Sequence, residues 1–357
     1  MSATAHPTTD VPPSTGSTAV PASPPSSSRR RGLLGALPPA VVLVVLAFVP
    51  FFLAEDPTNI LTRILVFGLF AVSLDLLVGI TGLPSLGHAA YFGVGAYTAA
   101  LVADHWTPSA PTPVLMAAAA GAVAAVLTGW LAVRSHGVFF LMLTLAIGEI
   151  TSQLALQLDD VTGGSNGMSV PSVRFGSEPF DADFRIAYTY WYVLVVFVIA
   201  FAAMWLIARS PFGLALRGIR DNEGRMRSLG YTPFRYKYVA YVLAGGFAGL
   251  AGGLFAQVNR LVSPVDAGFA LSAITLLALV LGGAGTLWGP VLGMAVVVIV
   301  RDYYGPDLNG HGPLVLGIVF VIAVYVLPRG FAGIAGLLRT PRRRRDRSIV
   351  PGEERAA

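Results

Sequence analysis

Residues 209–237, RSPFGLALRGIRDNEGRMRSLGYTPFRYK, form the only long charged stretch between hydrophobic runs and hold seven of the 24 basic residues of the chain. Ser210 is of a type that caps a helix by accepting from an orphan backbone N–H, Pro211 suits the first helical position, and Gly230 suits a left-handed closing residue. One short helix is expected between these signals. On it Ala215, Ile219, Met226 and Leu229 fall near one face, while Arg217, Arg220, Asp221, Arg225 and Arg227 fall mostly elsewhere. Such an apolar face needs a cover, either lipid headgroups or the groove of a soluble partner.

The flanks of this stretch set the class of protein. The 357 residues are 55% hydrophobic and 12% charged, with mean hydropathy +0.69, whereas soluble domains carry about 25% charged residues. The chain therefore reads as an integral membrane protein. Its 40 glycines fit close helix packing in lipid, and the absence of cysteine excludes disulfides, thiol catalysis and cysteine-ligated metal. The net charge of +5 is a topology signal and implies no nucleic acid.

Apolar windows near the length of about 20 residues that crosses a bilayer core recur at 34–53, 60–80, 86–103, 113–133, 137–158, 188–208, 238–258, 268–282, 286–300 and 313–328. The expected fold is an all-α polytopic bundle of about ten transmembrane helices with both termini cytoplasmic. With the N-terminus inside, nineteen Lys and Arg residues collect on the inner side, against five outside or at the outer boundary: Arg63, Arg174, Arg185, Arg260 and Arg301. Residues 1–31 read as a disordered cytoplasmic tail, 32–330 as the membrane domain, and 331–357 as a basic cytoplasmic tail suited to anionic lipid. The first apolar run starts late and lacks a small-residue cleavage site, which favours a spanning helix over a signal peptide. The uncharged stretch 267–300, broken by GGAGTLWGP at 282–290, is either two short spans or a re-entrant hairpin. The outer loop 159–187 is either a solvated connector or a docking surface.

No catalytic constellation is visible, and no phosphate-binding GxxxxGK[ST] loop occurs, so any ATP that drives this protein binds another polypeptide. The costly intramembrane residues are Asp75 and Glu149, since a charge at mid-membrane costs about 2.5–3.5 kcal/mol on insertion scales. Asp75 is placed to reach headgroups or to cap nearby backbone. Glu149, with Gln153 one turn on, is expected to form a polar stripe buried in the bundle, serving structure, a solute pathway or proton coupling. In 79–98, glycines and Pro84 interrupt a helix, as tolerated where protein or a cavity supplies hydrogen bonds, or as a tight turn between packed helices. His88 there is an interhelical donor or a ligand contact. Thr162, Gly163 and Gly164 suit a nest of backbone N–H groups.

Five ordered stretches carry a family resemblance: LLVGITGLPSLGHAAYFGVGAYTAA at 76–100; TLAIGE at 144–149 with TGGSNG at 162–167; RGIRDNE at 217–223; YKYVAYVLAGGFAGLAGGLFA at 236–256 with VLGGAGTLWGPVLG at 280–293; and LPRG at 327–330. Together they resemble the LivM-type permease subunits of branched-chain amino acid ABC importers. The resemblance implies a non-catalytic, multi-pass subunit of the bacterial inner membrane forming half of a pore. A second, similar permease completes the pore, two cytoplasmic ATPases bind the ATP, an extracytoplasmic solute-binding protein delivers cargo, and the chain holds no cofactor of its own. Carried over by position, Arg217, Ile219, Arg220, Asp221, Asn222, Glu223, Leu229 and Gly230 would seat in an ATPase groove. Ser85, His88, Thr144 and Glu149 are the expected pathway residues. Asp75 stands where the family pattern has asparagine, and Leu83 and Pro84 where glutamine and leucine are commoner, which leaves the cargo open among branched-chain or related amino acids, urea and short amides. An ion-coupled secondary transporter using Asp75 or Glu149 is the reading from another class.

Overall fold

The computed structural model describes residues 55–106, 109, 111–171, 182–305, 312–326 and 330–331. The expected span 34–53, the tail 1–31 and nearly all of the tail 331–357 lie outside them. At the centre stands α1 (Glu55–Asp75), which runs on as a π-helical segment, Leu76–Thr81. Of its apolar window 94% is buried, so it is surrounded by protein on nearly every side. Gly82, at φ 77°, closes the π segment with its N–H on the Leu77 carbonyl.

The helix α2 (Ala89–His105) meets α1 through Phe92 against Phe67 and Phe70, α3 (Thr112–Ala132) and α4 (Val138–Gln157) pack farther out on α2, and α5 (Ala182–Arg209) and, after a charged segment, α8 (Pro233–Asn259) lie directly against α1. Small residues decide the closest packing. A β-carbon on Gly252 of α8 would strike the Phe92 carbonyl of α2, one on Gly95 would strike the Gly249 carbonyl, and one on Gly121 of α3 would meet the Gly245 carbonyl. These three helices approach backbone to backbone, which lets dispersion substitute for the hydrophobic effect that lipid does not supply. By contrast only 28% of the apolar windows of α3 and α4 is buried, leaving Leu127 and Phe139 on the outside of the bundle.

The chain ends its described course in a hairpin, α9 (Phe269–Gly282) and α10 (Trp288–Val298), the latter extended by a π turn, Ile299–Tyr303, and in α11 (Gly312–Val326). The hairpin tip hydrogen-bonds to Asp75, and its far end is tied to α1 where Arg63 pairs with Asp302 at 3.3 Å and donates to Asn259 at 3.1 Å. The α10 arm thus follows α1 from Asp75 to about Arg63, roughly 18 Å at 1.5 Å per residue.

The described residues are helical apart from short connections and one antiparallel pairing of Met168 and Ser169 with Val262 and Leu261. That pairing pins the first half of the 159–187 loop to the end of α8. Among the described residues five helices are long and apolar enough to cross a membrane, as in an all-α membrane protein. Several helices outrun their apolar windows: α1 begins at Glu55, α5 at Ala182 and α8 at Pro233, each before the first apolar residue of its expected span. Hydropathy registers the lipid-facing length only, whereas backbone bonding continues into water.

Candidate functional site

The charged segment is two helices, α6 (Pro211–Asp221) and α7 (Glu223–Ser228), where one was expected. The predicted start holds: Ser210 Oγ accepts from Gly213 N, and Pro211 opens the helix. The predicted end holds too. Gly230, at φ 86°, donates to Arg227 O while Tyr231 N donates to Met226 O, the paired bonds of a Schellman stop. Between them Asn222 leaves the helix and caps the next one, its Oδ1 accepting from Arg225 N at 2.8 Å. Asparagine competes for backbone bonds through its own side chain, and here that competition wins.

The apolar face of α6 needs neither lipid nor a partner as cover. Ala215, Leu216 and Ile219 are buried against the chain's own helices, Ile219 to 2% exposure. Leu229 lies off that face and is 67% exposed. Phe212 stacks on Tyr236 at 5.6 Å, fixing the start of α6 to α8. Glu223 accepts from Lys237 Nζ at 2.6 Å and pairs with Arg227 at 3.1 Å. Burial alone would raise the Glu223 carboxyl; the hydrogen bond and charge of Lys237, aided by His136 and Arg227, hold it below the usual carboxylate value.

Arg220 makes the decisive contact. Its Nη1 donates to the Gly79 carbonyl of the π segment, and Nε and Nη2 donate to Asp221 at 3.2 and 3.1 Å. On the same π segment, the Asp75 carboxylate accepts from Gly285 N at 2.6 Å and Leu287 N at 3.1 Å. Gly330 packs on the same turn, with no room for a β-carbon beside Gly282 and Gly283. Four of the quoted motifs, far apart in sequence, therefore meet at one end of the bundle. Sequence reading singled out Asp75 without its partners and missed Gly79, Gly285 and Leu287, because nothing local marks a contact between residues some 210 positions apart.

Of the expected pathway residues, three converge and one does not. Thr144 Oγ1 accepts from Leu86 N and donates to Leu141 O. His88 Nε2 lies 2.9 Å from Ser73 Oγ with its ring stacked on Phe70, as an interhelical bond. Ser85 is fully buried, and its Oγ has no hydrogen-bond partner among the described residues. Glu149 is not buried in the bundle as expected: it is exposed on α4, bonded to Gln153 Nε2 at 2.8 Å. Periodicity places a residue on a helix face but does not say which face turns inward. The proposed nest at 163–164 is internally satisfied, with Gly163 N on Asp159 O and Gly164 N on Thr162 Oγ1. Among the described residues no cluster of His, Asp or Glu is arranged to hold a metal.

A glycine-packed helical bundle with a capped, basic helix pair seated on one end defines a polytopic membrane protein. The family model described as "Branched-chain amino acid transport system / permease component" matches residues 57–327, and the chain belongs to that family. It is 33% identical over 317 residues to the high-affinity branched-chain amino acid transport system permease protein LivM of Escherichia coli (strain K12), covering 81% of this chain and 73% of the relative. The LivM protein of Salmonella typhimurium is 31% identical over 310 residues, with the same coverage. The probable branched-chain amino acid transport permease protein LivH of Methanocaldococcus jannaschii is 25% identical over 282 residues, or 74% of this chain and 88% of that protein. No solved structure gave a significant match. As a permease component the chain is a transport subunit and not an enzyme.

Proposed function

We propose that this chain is one half of the translocation pore of an ATP-driven importer for branched-chain or related amino acids in the bacterial inner membrane. About ten spans with both termini inside fit its charge asymmetry. A second permease subunit completes the pore, two cytoplasmic ATPases bind the ATP, and an extracytoplasmic solute-binding protein supplies cargo. The basic tail 331–357 rests on anionic lipid, the tail 1–31 stays unfolded in the cytoplasm, and the membrane domain is 32–330.

The observation that carries this reading is the seating of α6. A helix gripped from within by Ala215, Leu216 and Ile219, and joined through Arg220 to α1, is firmly attached to its own bundle. With α7 it still offers Asp221, Asn222, Leu229 and Gly230 outward, with Arg217 and Glu223 half-exposed between. In this division Ile219 and Arg220 transmit, and the exposed residues meet the ATPase. Glu149 supports a polar surface beside the pore, since its exposed carboxylate in mid-helix needs water or a partner's polar groups rather than lipid. Ser85, His88 and Thr144 support the wall behind it. The ion-coupled alternative loses Asp75 as a free carboxylate, because both its oxygens accept backbone N–H.

Reconstitution tests the reading. The whole assembly should take up labelled amino acid only with ATP, and the lone chain not at all under any ion gradient. Leu229→Asp should fold normally yet lose ATPase co-purification at least about ten-fold, equivalent to about 1.4 kcal/mol. Uptake by the lone chain, or full ATPase recovery with Leu229→Asp, overturns the proposal.

A further inference from the structure

Asp75 is the only fully buried acidic side chain among the described residues, and both of its oxygens hold a turn from another part of the chain. That turn has an unfavourable shape by itself. Gly283 and Gly285 have φ of 101° and 83°, and Leu287, which carries a β-carbon, sits at φ 61°. Left-handed backbone at such a residue persists only where its surroundings over-determine it. Here the surroundings are the Asp75 bond to Leu287 N and the burial of the Leu287 side chain to 5% exposure.

One turn beyond Asp75 the same segment is held from below. Gly79 O accepts from Arg220, and Gly79 admits no side chain because Asp75 Oδ1 and the Gly285 backbone fill the space where its β-carbon would stand. The positive charges whose field reaches Asp75 are Arg217 and Arg220, both on α6. The π segment is thus a short link with the basic helix on one side and the hairpin tip on the other. A carboxylate suits the link because it offers two acceptor oxygens and no donor to two converging N–H groups. An amide held in the same orientation would offer one acceptor oxygen and turn its own NH2 donor on the other N–H.

We propose that Asp75 is a positioning residue that makes α6 and the α9–α10 hairpin move together, so that displacement of the basic helix by nucleotide reaches the hairpin through the carboxylate. This rests on the coupling role of α6 put forward above. Without the carboxylate the helix still docks and moves, but the tip no longer follows.

The chain contains no cysteine, so single introduced cysteines report locally. Spin labels at Ser228→Cys, beyond α6, and at the exposed Ala284→Cys, on the tip, are read separately in the intact transporter with and without a non-hydrolysable ATP analogue. With Asp75 present both labels should respond to nucleotide. With Asp75→Leu the response at 228 should remain, that at 284 should vanish, and solute taken up per ATP hydrolysed should fall at least about ten-fold. Asp75→Asn should keep part of both. A purely structural Asp75 would lower thermal stability and leave the response at 284 in place, so an undiminished response there overturns the proposal. Should Asp75→Leu fail to fold, Asp75→Asn decides, and parental response and uptake per ATP sink the idea. A label at 228 that ignores nucleotide in the parent chain removes the coupling role of α6, and the link with it; a responsive 228 beside a silent 284 in the parent removes the link alone.

Discussion

Arg260 ends α8 with φ 57°, a left-handed conformation in which a β-carbon crowds the backbone, and its side chain makes no hydrogen bond or ion pair with the described residues. Glycine is the residue such a helix end prefers. Arg260→Gly should therefore raise stability by about 0.5–1 kcal/mol, read as a higher midpoint in detergent unfolding; a fall would show that the guanidinium carries an interaction of its own. Single residues were legible in sequence where the signal is local. Ser210, Pro211 and Gly230 act through their own backbone neighbourhood, and each does in the structure what its type implies. Asn222 breaks the helix between them by the same local chemistry, yet its context RGIRDNEG reads equally as continuous helix. Ile219 shows the opposite limit, since its apolar character was plain and its cover, the chain's own helices, was not.

Between helices, the contact of α8 with α2 and α3 is set by backbone against backbone. Gly252 stands against the Phe92 carbonyl and the Ala96 amide nitrogen, neither of which is the movable end of a side chain. Gly252→Val should cost about 3 kcal/mol or more and yield little folded protein, because overpacking here moves a whole helix. Gly317→Ala on α11, where a β-carbon meets nothing within 4 Å, should be neutral or slightly stabilising. Thermal unfolding of both variants checks this, and equal midpoints would mean that the interface yields more easily than its backbone contacts imply. The five span-capable helices among the described residues were legible because a bilayer demands apolar length, although their ends were not. The hairpin was visible as a charge-free stretch broken by glycines, while the destination of its tip, Asp75, depended on a partner that no periodicity records.

Across the molecule, the exposed carboxylate of Glu149 and the buried hydroxyl of Thr144 lie little more than a turn apart on α4. If the outward face of α4 borders a water-filled pathway in the assembled transporter, Glu149→Cys should react with a membrane-impermeant thiol reagent and Thr144→Cys should not. Failure of Glu149→Cys to react in the intact assembly would place that face against protein or lipid instead. The same contrast separates what each level of information decided. The sequence by itself determined that this is a helical membrane protein with a charged segment between apolar runs, because these follow from transfer free energies that each residue carries wherever it sits. Only the tertiary structure decided that α6 is covered by its own bundle, that Asp75 holds the hairpin tip, and that Glu149 turns outward. Those depend on which backbone groups meet across hundreds of residues and on which side of a helix faces the core, and neither is a property of any local stretch of chain.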